Sequence, residues 1–168
     1  MKTKENIGII YCDMDGVLVD FLAGAEKVLG HHFDAPYNDK KDKIARKAKI
    51  ASHDNFWADL PPMKDFKTLW KVIDKYDAHI LTAYAEWDPS SIEGKKLWVK
   101  KHLNLPMDRF HAVKREEKQD YTKDGDKKNI LIDDYIKNIK EFDSADGIGI
   151  HHVSARVTLL KLRELGFH

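Results

Sequence analysis

Cysteine is nearly absent from this sequence: Cys12 is the single one among 168 residues. One cysteine cannot form an internal disulfide, which fits a chain that works in a reducing compartment. Because Cys12 lies inside an apolar run, we expect a small buried side chain rather than a nucleophile. The sequence also lacks an apolar stretch as long as a membrane span, and its N-terminal residues lack the apolar segment of a signal peptide. We therefore expect a cytoplasmic protein with no membrane partner.

A charge excess of either sign is missing as well. Lysine and arginine number 29 against 28 aspartates and glutamates, which leaves a net charge of +1. Nothing in this balance favours a nucleic-acid polymer as a partner. With 42% hydrophobic and 34% charged residues, the composition is typical of a globular domain with its own core. A homodimer is compatible with this composition, which does not determine the oligomeric state.

Short apolar strands alternate with helical patterns along the chain. The predicted strands are residues 7–12, 78–82, 110–113, 129–132 and 147–150. Asp20 and Ser154 are predicted helix N-caps, and Asp88–Pro89 is a predicted helix start. This rhythm predicts an α/β fold, a three-layer Rossmann-like parallel sheet with helices on both faces.

A helical interruption separates the first two strands. We expect residues 22–63 to form a small helical cap inserted into a core made of residues 1–21 and 64–168. Residues 31–38 are predicted as loop. Residues 39–50 form a basic helical segment, whose charges fit a solvated helix face or a positively charged lid that attracts an anionic substrate.

Two carboxylates follow the first strand one residue apart. Asp13 and Asp15 flank Met14, and Gly16 comes next. A strand that ends in this way places its acids at the carboxyl edge of a sheet, where open α/β folds bind ligands. Clustered carboxylates repel one another unless a cation or a shared proton lies between them. By itself, the same string also fits a strand followed by an Asx turn.

Reactive side chains follow the other predicted strands too. Thr82 ends the second strand, Lys114 and Lys118 follow the third, and Asp133-Asp134 end the fourth. In a parallel sheet all of them gather at one edge. Clustered carboxylates favour Mg²⁺, and a hydroxyl with an ammonium suits phosphate oxygens. The pattern indicates phosphoryl-transfer chemistry without a P-loop, whose motif is missing. Taken singly, Thr82 also fits a backbone-bonded hydroxyl, and Asp133-Asp134 a helix N-cap.

These residues resemble the four motifs of the haloacid dehalogenase superfamily of phosphohydrolases. Residues 13–18, Asp-Met-Asp-Gly-Val-Leu, resemble the first motif, Thr82 the second, a following lysine the third, and residues 130–134, Ile-Leu-Ile-Asp-Asp, the fourth. Within the superfamily the chain is similar to the 5'(3')-deoxyribonucleotidase group, whose members carry a similar opening, a small helical cap with an aromatic pair like Phe56-Trp57, and a Leu-Ile-Asp-Asp ending. The resemblance covers nearly the whole chain.

The resemblance implies a role for each acid. Asp13 is the expected nucleophile, which forms an aspartyl-phosphate. Asp15 is the expected general acid for the leaving alcohol and then the base that activates water. The implied Mg²⁺ ligands are the Asp13 carboxylate, the Asp15 main-chain carbonyl and Asp133, and Asp134 is a further ligand or supports the ligands from behind.

The resemblance also implies phosphate-binding groups. They are Thr82, a main-chain amide at Ala83 or Tyr84, and a lysine. Lys118 fits the family's usual position at a helix start better than Lys114 does. The aromatic residues expected at a substrate pocket are Phe21, Phe56, Trp57 and Tyr84, although each also fits a place in the core.

The implied activity is Mg²⁺-dependent hydrolysis of a small phosphomonoester, most specifically a nucleoside monophosphate. A phosphatase of a sugar phosphate or of a nucleic-acid 3' end uses the same motifs. A non-catalytic phosphoacceptor domain also combines clustered aspartates, a hydroxyl and a lysine on a parallel sheet. In that class the acceptor aspartate lies in mid-chain and the lysine comes last, whereas Lys118 here precedes Asp133-Asp134. The order therefore favours the hydrolase.

Overall fold

Six strands form one sheet in the part of the chain that the computed structural model describes, residues 4–34 and 39–168. The strands are β1 (Ile7–Cys12), β2 (His79–Ala83), β3 (Phe110–Val113), β4 (Lys123–Asp124), β5 (Lys127–Asp133) and β6 (Ile148–His151). Their order is β3-β2-β1-β5-β4, and β6 also pairs with β5. Every pairing is parallel except β4 with β5. The predicted α/β fold is confirmed, and the antiparallel pairing of β4 with β5 adds a hairpin to the predicted parallel strands.

Six α-helices surround this sheet in the described ranges, and they fall where the patterns predict them. They are α1 (Phe21–Leu29), α2 (Lys40–Ala51), α3 (Phe66–Ile73), α4 (Ser91–Leu103), α5 (Ile136–Ser144) and α6 (Ala155–Glu164). The Asp20 carboxylate accepts a bond from the Ala23 amide, and the Ser154 hydroxyl accepts one from the Val157 amide, so both predicted N-caps are present. None of these helices is both long and apolar enough to cross a bilayer.

The predicted start of α4 at Asp88–Pro89 is wrong by two to three residues, since the helix begins at Ser91. The Asp88 carboxylate accepts bonds from the Ser90 amide and hydroxyl, at 3.0 and 2.7 Å, in the turn that precedes the helix. Its other oxygen accepts a 2.6 Å bond from the indole nitrogen of Trp57. A long-range partner therefore takes the carboxylate that local sequence assigns to the helix cap.

The segment predicted as a cap is tied to the core at both of its ends. The Asp20 amide donates to the Pro61 carbonyl at 2.8 Å, and the Met63 amide donates to the Leu18 carbonyl at 2.9 Å. The cap's apolar side chains, Ala25 and Ile50 among them, belong to the same buried cluster as the strands. Residues 1–3, and residues 35–38 of the predicted 31–38 loop, lie outside the described residues. The division into cap and core stays a prediction.

The strand order places the two main acidic motifs side by side. β1 lies next to β5, and the Asp13 amide extends their pairing by donating to the Ile132 carbonyl at 2.9 Å. The chain leaves β1 towards β2 on one side and returns through β5 on the other. Such a switch point is where open α/β sheets bind ligands, at the carboxyl ends of the strands.

Asn129 holds an irregularity at the other end of this strand pair. The register of β1 against β5 shifts between Ile7 and Ile10. The buried Asn129 side chain accepts a 2.7 Å bond from the Ile9 amide and donates a 2.9 Å bond to the Tyr121 carbonyl. It thus satisfies the Ile9 amide within the shifted part of the ladder and also the carbonyl of Tyr121, at the end of a 3₁₀ segment that precedes β4.

We predict that Asn129→Ala lowers the free energy of unfolding by roughly 1 to 3 kcal/mol, because a half-buried amide and a half-buried carbonyl lose their partner. Urea unfolding followed by circular dichroism measures this loss. Lys127→Ala, at an exposed position of the same strand, is the matched control and should stay within about 0.5 kcal/mol of the wild type. Equal stability of the two variants would contradict the role of Asn129.

Candidate active site

Three carboxylates meet at the carboxyl edge of β1 and β5. One oxygen each of Asp13, Asp133 and Asp134 lies within 4.8 Å of the others. Desolvation, followed by the charges of Asp13 and Asp133, raises the pKa of Asp134 to about 7. A divalent cation would relieve this repulsion, and an all-oxygen set of carboxylates is what Mg²⁺ prefers. The residues present therefore fit a magnesium ion.

Lys118 lies between two of these acids. It belongs to the 3₁₀ segment Arg115–Tyr121, and its Nζ is 2.9 Å from Asp13 Oδ1 and 2.7 Å from Asp133 Oδ2. Burial would lower the pKa of Lys118, but the charges of Asp13 and Asp133 outweigh it and raise this pKa above its usual value. Lys114 instead faces Glu86 at 3.5 Å and is half-exposed. Of the two candidate lysines, Lys118 is the one beside the carboxylates.

Asp133 is oriented by a chain of polar side chains. Its Oδ1 accepts a bond from the Tyr135 amide, and its Oδ2 accepts one from the Asn138 side chain, both at 2.9 Å. Asn138 in turn accepts a 3.0 Å bond from Arg115, which is also paired with Glu141 at 2.7 Å. Sequence analysis missed Asn138 and Arg115. The available signal was the polar Asn138 on the buried stripe of α5, one residue before Ile139.

Asp15 has a different partner, which the sequence analysis also missed. Its Oδ2 is 2.7 Å from the Nζ of Lys95 on α4. The same ammonium donates to Thr82 Oγ1 and to the Ala83 carbonyl, both at 2.9 Å. The available signal was a lysine on the apolar stripe of α4, three residues before the buried Trp98.

A cavity of about 770 Å³ opens above these groups. Its polar lining includes the acids, Lys118, Arg115 and Asn138. The full lining is Asp13, Asp15, Gly16, Asp20, Phe21, Leu22, Phe33, Met63, Ala83, Arg115, Lys118, Asp133, Asp134, Tyr135 and Asn138. Its larger apolar lining residues are Phe21 and, from the predicted cap, Leu22, Phe33 and Met63. A smaller cavity of about 350 Å³ between α1 and residues 53–61 contains none of the motif residues.

The predicted pocket aromatics separate into two groups. Phe21 lines the cavity and packs edge-to-face on Phe33, with ring centres 5.1 Å apart. Phe56 and Trp57 are buried against the far side of Phe21 and do not line this cavity, because both pack into the core and the Trp57 indole is bonded to Asp88. Tyr84 is also absent from the cavity lining.

The predicted phosphate-binding groups separate as well. Ala83 lines the cavity, whereas Thr82 is fully buried and bonded to Lys95 behind that wall. The Tyr84 amide donates to the Val113 carbonyl at 3.1 Å, which extends the pairing of β2 with β3. This amide is therefore not free for phosphate, in contrast to the expectation from sequence.

Gly16 lets Asp134 approach the first motif. Its φ is +79°, and a Cβ at this position would collide with the Asp134 carboxylate. The next three residues bond back to the Met14 carbonyl, so the chain turns sharply after Asp15. Glycine is required here both for the backbone conformation and for the space that Asp134 occupies.

Comparisons with known proteins agree with this geometry. No protein-family model matches the chain. A curated protein of Vibrio phage KVP40, named "Putative 5'(3')-deoxyribonucleotidase", is 30% identical over 137 residues, which are 80% of this chain and 71% of that protein. A solved hydrolase from Streptococcus pneumoniae TIGR4 has a TM-score of 0.50 at 12% identity and covers 95% of this chain and 97% of its own, a likeness of fold alone. A haloacid dehalogenase-like family protein from Streptococcus pneumoniae has a TM-score of 0.46 at 13% identity, with 94% and 91% covered.

We predict that Gly16→Ala weakens divalent-metal binding, because the new methyl group displaces the Asp134 carboxylate. Gly30→Ala is the matched control, since Gly30 has the same φ of +79° but no atom within 4 Å of the added Cβ. Each variant should lose roughly 1 to 2 kcal/mol of stability from backbone strain. Calorimetric titration with Mg²⁺ or Mn²⁺ should show weaker binding in Gly16→Ala alone. Equal metal affinity in the two variants would argue against Asp134 as a ligand.

Proposed function

This chain belongs to the haloacid dehalogenase superfamily, and we propose that it is a Mg²⁺-dependent phosphatase of nucleoside monophosphates. It has a relative that is named for 5'(3')-deoxyribonucleotidase activity. The observation that carries the proposal is the cluster of Asp13, Asp133 and Asp134 around Lys118 on the floor of a cavity. A buried ammonium beside converging carboxylates can stabilise the negative charge that develops when a phosphoryl group is transferred.

The proposed reaction has two halves, and each half uses both acids of the first motif. Asp13 attacks phosphorus while the bond from phosphorus to the leaving oxygen breaks, and Asp15 gives its proton to that oxygen. In the second half Asp15 takes a proton from water, the water oxygen attacks phosphorus, and the bond to Asp13 breaks. The products are an alcohol and inorganic phosphate, and both aspartates return to their starting state.

The charges around Asp13 support this assignment of roles. Lys118 holds one Asp13 oxygen at 2.9 Å and thereby fixes the direction of the carboxylate. Asp13, the Asp15 main-chain carbonyl, Asp133 and Asp134 are the proposed metal ligands, and a bound Mg²⁺ would supply positive charge beside the phosphoryl group. Asp15 lines the cavity with its side chain 35% exposed, so that it is accessible to a substrate.

The apolar wall of the cavity favours a nucleotide among the small phosphomonoesters. Phe21, Leu22, Phe33 and Met63 line the same cavity as the carboxylates and offer an apolar surface for a flat base. The hydroxyl groups of a sugar phosphate would find few polar partners there. The cavity volume of about 770 Å³ is within the usual range for small-molecule sites.

A non-catalytic phosphoacceptor has no need for Asp15 beside Asp13.

A substrate panel tests the activity. Nucleoside and deoxynucleoside 5'- and 3'-monophosphates are compared with sugar phosphates, each with Mg²⁺ and with a chelator. We expect kcat/KM at least about tenfold higher for a nucleotide, since stacking of one base is worth about 1 to 3 kcal/mol. Chelation should abolish turnover. Turnover confined to sugar phosphates would remove the nucleotide assignment, and a stable phosphoprotein without turnover would support the phosphoacceptor alternative.

We predict that Asp13→Asn lowers kcat by at least about 10³-fold, because the amide is not a nucleophile. The variant should nevertheless be at least as stable as the wild type. Burial raises the pKa of Asp13, so its ionised form costs stability at neutral pH, and a neutral amide removes that cost. Thermal unfolding in the presence of a chelator checks this second expectation. Asp126→Asn, in the exposed β4–β5 turn, is the control for both measurements.

A further inference from the structure

A second buried lysine serves the site from behind the cavity wall. Lys95 is 1% exposed and does not line the cavity, although two of its partners, Asp15 and Ala83, do. An ammonium has three donors, and Lys95 uses all three, on Asp15 Oδ2 at 2.7 Å and on Thr82 Oγ1 and the Ala83 carbonyl at 2.9 Å. A buried charge with every donor satisfied has one defined position, and it defines the positions of its acceptors.

The surroundings of Lys95 keep water away from this contact. The Trp57 ring centre is 5.4 Å from the ammonium, a cation–π distance. The Trp57 indole is itself held by the buried Asp88 at 2.6 Å. Gly94, next to Lys95 on α4, lies so close to Trp57 that a Cβ there would meet the Trp57 Cβ at 2.5 Å. The cap segment and α4 together therefore enclose the ammonium.

The contact with Lys95 is the side-chain hydrogen bond that the structure gives Asp15 among the described residues. Asp15 follows the end of β1 and precedes Gly16, in a turn rather than in the strand. Lys95 anchors Oδ2, whereas Oδ1 has no hydrogen-bond partner among the described residues although it is buried. Because an ammonium has no lone pair, Oδ2 can only accept from it.

We propose that Lys95 is a positioning residue that holds the Asp15 carboxylate in place for proton transfer to the leaving oxygen. This inference rests on the proposed phosphatase activity and adds to it a residue that never contacts the phosphoryl group. Lys95 forces the Thr82 hydroxyl to act as acceptor, so the proton of that hydroxyl points away from the ammonium. One buried side chain thus orients the acid of the first motif and the hydroxyl of the second.

The dependence on the leaving group distinguishes this role from a structural one. A nucleoside leaves as an alkoxide that needs a proton, whereas p-nitrophenolate leaves without one. In Lys95→Met we expect kcat/KM for the preferred nucleoside monophosphate to fall by about 10²-fold or more, the usual contribution of a general acid. For p-nitrophenyl phosphate it should fall by less than about tenfold. Asp15→Asn should show the same selective loss.

Two further variants complete the test. Lys100→Met makes the same substitution at an exposed position of α4 and should match the wild type with both substrates. Lys95→Arg keeps the charge, but a planar guanidinium cannot reach the three acceptors of the ammonium. Lys95→Arg should also lose activity towards the nucleoside monophosphate more than towards p-nitrophenyl phosphate. It replaces Lys95→Met in the test if circular dichroism shows that Lys95→Met does not fold.

The outcomes separate the inference from the proposed function. A wild-type protein that hydrolyses neither ester would remove the proposed function and the inference with it. An active wild type whose Lys95 variants lose both substrates equally, or lose neither, would overturn the positioning role and leave the phosphatase assignment in place. Near-wild-type kinetics in Lys95→Arg would likewise overturn it, since charge alone would then be sufficient.

Discussion

The parallel pairing of β1 with β5 is the constraint on which the rest of the site depends. It brings Asp13 and Asp133 together, and two buried carboxylates at this spacing are tolerated only with a cation between them. Lys118 provides that cation, with all three side chains nearly fully buried. Removing Lys118 would leave two uncompensated carboxylates in the interior, so this triad ties the order of the strands to the electrostatics of the site.

The site holds two carboxylate–ammonium pairs that reach it from different connections of the fold. Lys118 comes from the segment after β3 and holds Asp13 and Asp133, the acids proposed to attack phosphorus and to bind the metal. Lys95 comes from the helix after β2 and serves Asp15. Each acid therefore has a fixed direction before any substrate is bound, and a pre-organised polar site does not need to reorganise during the reaction.

The segment predicted as a cap contributes side chains both to the core and to the cavity. Trp57 lies in the core, bonded to Asp88 and packed on the Lys95 ammonium, so the cap segment helps to enclose a charged group of the site. Phe21 and Phe33 remain at the cavity, where they form its apolar wall. The same aromatic cluster thus closes one side of the core and shapes the place where substrate is proposed to bind.

The strands, most helix ends and the acids of the motifs followed from the sequence, because periodicity, caps and the ends of apolar runs are local signals. Asp13 and Asp133 were found because they stand at the ends of strands in a parallel sheet, whereas Lys118 was preferred to Lys114 because of the family resemblance. Only the tertiary structure decided that Lys95 faces Asp15, and that Phe56 and Trp57 turn into the core rather than towards the cavity. Such choices depend on partners dozens of residues away, and a local pattern shows that a side chain is buried without showing what it meets.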